Sequence, residues 1–173
     1  MPNYLKTAII LIAVFSHVIG VNAEAASKNK SQNSWTGSVT HVTDGDTLWI
    51  KPNGASDALK VRIDGIDAPE ICQTYGVAAK QALQMRLAPQ RVHVKVRSRD
   101  GFGRLLAQVK FQSEDVGQWM VASGHAWAHS FRSYKVTYGA QQKAAQQARR
   151  GLFAQSMAEH PRNFRKRHGS CKY

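Results

Sequence analysis

Apolar and polar residues alternate with a period of two in several short stretches of the chain, the signature of strands with one buried face. In residues 59–63, Leu59, Val61 and Ile63 alternate with Lys60 and Arg62; in 91–97, Val92, Val94 and Val96 alternate with Arg91, His93, Lys95 and Arg97. Residues 35–42 and 47–51 flank the turn pair Asp44-Gly45, and 104–111 follows the glycine-rich turn Asp100-Gly101-Phe102-Gly103; both arrangements predict strands entered or left through tight turns. Elsewhere the period lengthens. Between 74 and 89, Ala79, Ala82, Leu83 and Leu87 fall on one helical face and Pro89 ends the run. Ser113 is placed to cap a short helix carrying Val116, Trp119 and Met120, which ends at Gly124. A last helix is expected from about Tyr138 to Arg150, with Ala144, Ala145 and Ala148 inward and Gly151 as its stop.

Five short strands, with one helix before the fourth and others after the fifth, predict an α+β domain that is mainly β. The expected architecture is a five-stranded OB-fold β-barrel with about three flanking helices, over residues 35–155. The ends read differently. Residues 1–23 carry Lys6, an apolar run from Ala8 to Gly20 and Val21-Asn22-Ala23, the pattern of a secretory signal peptide cut after Ala23. Residues 24–34 are polar and form an expected disordered lead-in; residues 156–173 form a basic tail, expected as an irregular wrap or arm. Export, to the periplasm or beyond the cell, is therefore expected, without stable membrane association and as a monomer. In an oxidising compartment Cys72 and Cys171 would tend to pair, although spacing alone does not establish their approach.

Charge narrows the partners. The chain of 173 residues has 24 Lys plus Arg against 11 Asp plus Glu, a formal charge of +13; losing the first 23 residues removes only Lys6 and leaves +12 on 150 residues. Such a surface attracts polyanions such as nucleic acid or anionic lipid, and charge alone does not choose between them. Against that background the acids carry the information. Asp44, Asp46, Asp57, Asp64, Asp67 and Glu70 lie within 27 residues, and clustered carboxylates repel unless a cation or arginine compensates. Asp44 and Asp57 read as turn residues. Asp46, Asp67 and Glu70, with Arg62 in the strand between them, read as hard oxygen donors around a divalent cation.

The run Asp44-Gly45-Asp46-Thr47, then residues 62–70 (RIDGIDAPE), then Asp100-Gly101-Phe102-Gly103-Arg104 resembles the staphylococcal nuclease-like (thermonuclease) family. The likeness extends to Tyr75-Gly76 and to Gly124-His125-Ala126-Trp127. It implies an OB barrel that cleaves DNA and RNA phosphodiesters in the presence of Ca²⁺, leaving 3′-phosphate ends. By position it implies Asp46, Asp67 and the backbone carbonyl of Ala68 as metal ligands, and Glu70 as orienter or base for the attacking water. Arg62 and Arg104 would hold the scissile phosphate. Phe102, Trp127 and His129 are the expected nucleotide contacts, with Phe102 and Ala68 departing from the family's usual Tyr and Thr. In the tail, Arg162, Arg165, Lys166 and Arg167 would add phosphate contacts.

A different class of function is also open. A basic OB barrel can bind single strands by stacking and phosphate contacts without cleaving them; retention of all five charged residues favours the enzyme. His125 and His129, four apart, suggest zinc only weakly, because the glutamate of a metalloprotease helix is absent.

Overall fold

The computed structural model describes residues 33–129 and 136–171; the expected signal peptide and almost all of the lead-in lie outside them. Strand β1 (Ser34–Val42) runs antiparallel to β2 (Thr47–Pro52), and β2 antiparallel to β3 (Leu59–Ile63). After a two-residue strand β4 (Ile66–Asp67) and helix α1 (Gly76–Leu87), β5 (Arg91–Arg99) returns antiparallel to β1. Strand β6 (Leu105–Phe111) pairs antiparallel with β5 and parallel with β3. That parallel pairing closes five strands into a barrel and leaves none of them an open edge.

Two minor pairings decorate the barrel. β7 (Glu114–Asp115) extends β6, and β8 (Trp127–Ala128) pairs with β4. The helices after β6 are α2 (Val116–Ala122), α3 (Gly139–Gln147), a 3₁₀ turn (Gly151–Ala154) and α4 (Pro161–His168). Among the described residues no helix is long and apolar enough to cross a membrane.

The barrel interior is aliphatic. Val39, Leu48, Ile50, Val61, Ile63, Val92, Val94 and Val109 are buried, closed at one end by Leu83 and Leu87 of α1 and by Val116 and Met120 of α2. Val61 and Ile63 of β3 and Val92 and Val94 of β5 point into this core as their alternation predicts, whereas Leu59 is 37% exposed and Val96 only partly buried.

Three local expectations change. α2 is capped by Asp115, whose side chain accepts from the Gln118 N–H, and not by Ser113; Asp115 also accepts from the Tyr138 hydroxyl, which fixes it at that position. In α3 only Ala145 is buried, while Ala144 and Ala148 face solvent, so that helix rests on a single alanine column. The tail is no irregular wrap. His160 accepts from the Arg162 N–H and Pro161 opens α4, an N-terminus built from a capping side chain and a proline in the first turn. A Cys72–Cys171 disulfide then ties the chain's end back to the segment before α1.

Leu83 is fully buried where α1 meets the barrel, so Leu83→Ala should cost about 2–5 kcal/mol by removing apolar area and leaving a cavity. Urea unfolding monitored by tryptophan fluorescence measures this, and a loss below about 1 kcal/mol would show that α1 does not close the core.

Candidate active site

Strand β2 begins where the chain leaves a tight loop. The Thr43 N–H donates to the Thr47 carbonyl and the Asp46 N–H to the Asp44 side chain, 3.0 Å away, an Asx turn of the kind aspartate forms readily. Gly45 lies against α1 within this loop: a Cβ there would meet the Cβ atoms of Ala68 and Ala79 at 2.7 and 2.9 Å. The missing side chain thus lets the loop press inward and bury Asp46 to 3% exposure.

Strand β3 delivers Arg62 beside it. One guanidinium nitrogen lies 2.5 Å from Asp46 Oδ1 and the other 3.0 Å from Asp67 Oδ1. Asp46 Oδ1 also accepts from the Thr47 hydroxyl and Oδ2 from the Ala68 N–H. Burial would lower the affinity of Arg62 for its proton, but Asp46 and Asp67 reverse this and push it upward. Arg62 is therefore charged throughout the accessible pH range. Asp67, in β4, is fully buried. Burial would raise its carboxyl, yet hydrogen bonds from Arg165 and the nearby charge of Arg62 hold it below the ordinary carboxylate range.

Glu70 follows Ala68-Pro69 on a loop tied to the start of α1. Its carbonyl accepts from the Gln73 N–H, and its own N–H donates to the Gln73 side chain. Gly76 makes the loop possible: a Cβ there would fall 1.8 Å from the Glu70 carbonyl oxygen. Arg104, immediately before β6, is held by Asp100 at 2.8 Å and donates to the Thr47 hydroxyl at 3.4 Å.

These residues line one cleft of about 590 Å³, with Asp44, Asp46, Arg62, Ala68, Glu70 and Arg104 on its walls. Phe102 lines it too, 87% exposed, with the Arg104 guanidinium 5.4 Å from its ring centre, and so does His129. Trp127 is not among the lining residues; it packs edge-on against Phe153 and at 5.2 Å from His160. His125 is bound to the Tyr75 hydroxyl, stacked on the Tyr75 ring and tilted against Trp119, and the segment joining it to His129 includes strand β8, so the two share no helical face.

Sequence reasoning missed several contributors. Asp44, read as a turn residue, faces the cleft, and its carboxyl is pushed up to about 7 by burial and by Asp46. Asp100 lies four residues before Arg104, a spacing that carried the pairing in plain view. Gln73 joins the Glu70 loop to the Glu159 carbonyl at 2.7 Å, which no motif announces. Arg165 of α4 reaches Glu70 Oε1 at 2.8 Å and both oxygens of Asp67 at 3.2 and 3.1 Å. In place of the added phosphate contacts expected of the tail, Arg165 and Arg167 are engaged internally, the latter with Glu159.

The donor chemistry suits a hard cation. Asp46 and Asp67 carry the carboxylate oxygens that a hard cation takes, with the Ala68 backbone alongside, and the His160 imidazole lies 3.8 Å from Asp67 Oδ2. Among the described residues no group of three or more His, Cys, Asp and Glu side chains could by itself hold a metal ion. A cation held here would keep coordination positions for water and phosphate.

Residues 60–155 match the family described as staphylococcal nuclease homologues. An uncharacterized endonuclease of Haemophilus influenzae is 33% identical over 128 residues, covering 74% of this chain and 71% of that protein. A counterpart in Escherichia coli is 34% identical over 119 residues, 68% of this chain and 76% of its own. A micrococcal nuclease of Shigella flexneri is 32% identical over 143 residues, 75% and 80% respectively.

Because Gly76 admits the Glu70 carbonyl at a distance no Cβ tolerates, Gly76→Ala should displace Glu70. A drop of about 10²-fold in phosphodiester turnover is expected, the effect of moving a reacting group by about 1 Å. Steady-state assays beside circular dichroism check it; full turnover in a folded variant would detach Glu70 from the chemistry.

Proposed function

The chain belongs to the staphylococcal nuclease family, and we propose that it is an exported, Ca²⁺-dependent endonuclease that hydrolyses DNA and RNA to 3′-phosphate products. The observation that carries this reading is the convergence of Asp46, Arg62, Glu70 and Arg104 on one cleft, with Asp67 directly beneath Arg62. Asp46, Asp67 and the Ala68 carbonyl would hold the metal. Bound Ca²⁺ would supply a Lewis acid at a non-bridging phosphate oxygen and offset part of the charge that repels an incoming nucleophile.

The remaining work falls to side chains. Arg62 and Arg104 present planar guanidiniums, which donate paired hydrogen bonds to phosphate as an ammonium does not. Asp100 and Thr47 hold Arg104 in place, and Asp46 and Asp67 hold Arg62, so neither must reorganise as negative charge grows on the equatorial oxygens. Glu70 would accept the proton of a water attacking phosphorus. The phosphorus–O5′ bond then breaks opposite the incoming oxygen, and the departing 5′ oxygen takes a proton from solvent. Phe102, exposed in the cleft lining, offers a face for a base to stack on, and His129 a polar contact in the same cleft.

Export is part of the reading. The signal-like residues 1–23 support it, and so does the Cys72–Cys171 disulfide, a bond that persists in oxidising compartments.

Purified mature protein should digest plasmid DNA and RNA with Ca²⁺ and stop with chelator. Glu70→Ala should lose about 10²–10⁴-fold in rate and Arg104→Ala about 10²–10³-fold. Digestion that survives chelation, or persists undiminished without Glu70, overturns the mechanism; tight binding in Ca²⁺ without cleavage would favour a single-strand-binding OB protein.

A further inference from the structure

Two carboxylates are assigned above to the metal, but they stand differently toward the cleft. Asp46 lines it, whereas Asp67 is fully buried. What covers Asp67 is Arg165. Its two guanidinium nitrogens lie 3.2 and 3.1 Å from the two Asp67 oxygens, and one of them also lies 2.8 Å from Glu70. With Arg62 on the other side of Asp67 Oδ1, every oxygen of that carboxylate accepts a charge-assisted bond. A hard cation needs those lone pairs free of donors. His160, which caps the same helix, lies 3.8 Å from Asp67 Oδ2 and adds to the crowding.

Arg165 does not arrive by the accident of a mobile side chain. It sits on α4, six residues before Cys171, and the disulfide fastens that end of the chain to Cys72, two residues beyond Glu70. The Cys72 N–H also donates to the Cys171 sulfur, and Gln73 donates to the Glu159 carbonyl just before α4. Three anchors thus hold α4 against the Glu70 loop. A tether of this length makes the guanidinium a competitor of high effective concentration.

We propose that Arg165 is a built-in counter-cation that occupies the metal's place on Asp67 and at the same time engages Glu70. Metal binding must displace it, and the Cys72–Cys171 bridge sets how firmly it holds. The inference rests on the reading of Asp46 and Asp67 as metal ligands. It makes the chain nearly inert until Ca²⁺ is abundant, because the same guanidinium that closes Asp67 also occupies the carboxylate needed by the attacking water. An exported nuclease of this design stays blocked where Ca²⁺ is scarce and opens where it is plentiful.

Calorimetric titration of the purified mature protein with Ca²⁺, without nucleic acid, tests this directly. Arg165→Gln removes the charge at a half-buried helical position, and its affinity should rise about tenfold or more, the size of one or two charge-assisted hydrogen bonds no longer competing. The double variant Cys72→Ser with Cys171→Ser, which keeps Arg165 but frees its helix, should shift affinity in the same direction by a smaller factor. Combined with Arg165→Gln it should add nothing further. Asp46→Asn serves as the control for the site itself. Calcium binding that depends on Asp46 but is equal or weaker in Arg165→Gln overturns the counter-cation while leaving the metal site standing. Absence of Asp46-dependent binding in every protein overturns both.

Discussion

The paired contact of Arg62 with Asp46 and Asp67 is the interaction around which the site is arranged. Two carboxylates almost without solvent exposure would repel each other and favour protonation in a barrel wall. One guanidinium, delivered by β3 between the loop that carries Asp46 and the short strand that carries Asp67, offsets both. Removing one partner from such a buried network typically costs about 3–5 kcal/mol, because the charge left behind has no water to turn to. The same triangle joins the loop before β2 to β3 and β4, so these charges also tie neighbouring elements together.

Geometry around this triangle is enforced by absences. Gly45 and Gly76 lack a Cβ where Ala68, Ala79 and the Glu70 carbonyl press closest. The two loops that carry Asp46 and Glu70 can therefore lie against α1 and against each other. Leu83 and Leu87 secure α1 to the barrel interior, which makes the position of Glu70 a consequence of core packing some distance away. Charge, close approach and aliphatic burial thus form one chain of cause from the barrel centre to the cleft.

Much of this was legible in the residues. The strands, α1 and its stop at Pro89 followed from periodicities that the backbone imposes locally; Asp46, Asp67 and Glu70 stood out because acids are scarce in so basic a chain, whereas Arg104 was named only through the family resemblance. What misled were features in which a local signal competed with a distant one. Ser113 is a plausible cap until Asp115 is found bound to Tyr138 as well as to the helix. Ala144 and Ala148 look buried until α3 is seen to rest on Ala145 alone. Trp127 reads as a nucleotide contact; the half-buried ring also packs against Phe153 and His160, brought from later in the chain.

The sequence by itself determined the individual strands, the charge contrast and which acids stand out against it, since each depends on residue type and on spacings of a few positions; barrel closure needed the distant pairing of Val61 with Leu105. Only the tertiary structure decided that Asp67 is sealed, that Asp44 faces the cleft and that the basic tail turns inward as a helix. Arg165 meets Asp67 across 98 residues. No local period encodes a contact at that separation; chain closure, completed by the Cys72–Cys171 bond, brings it about.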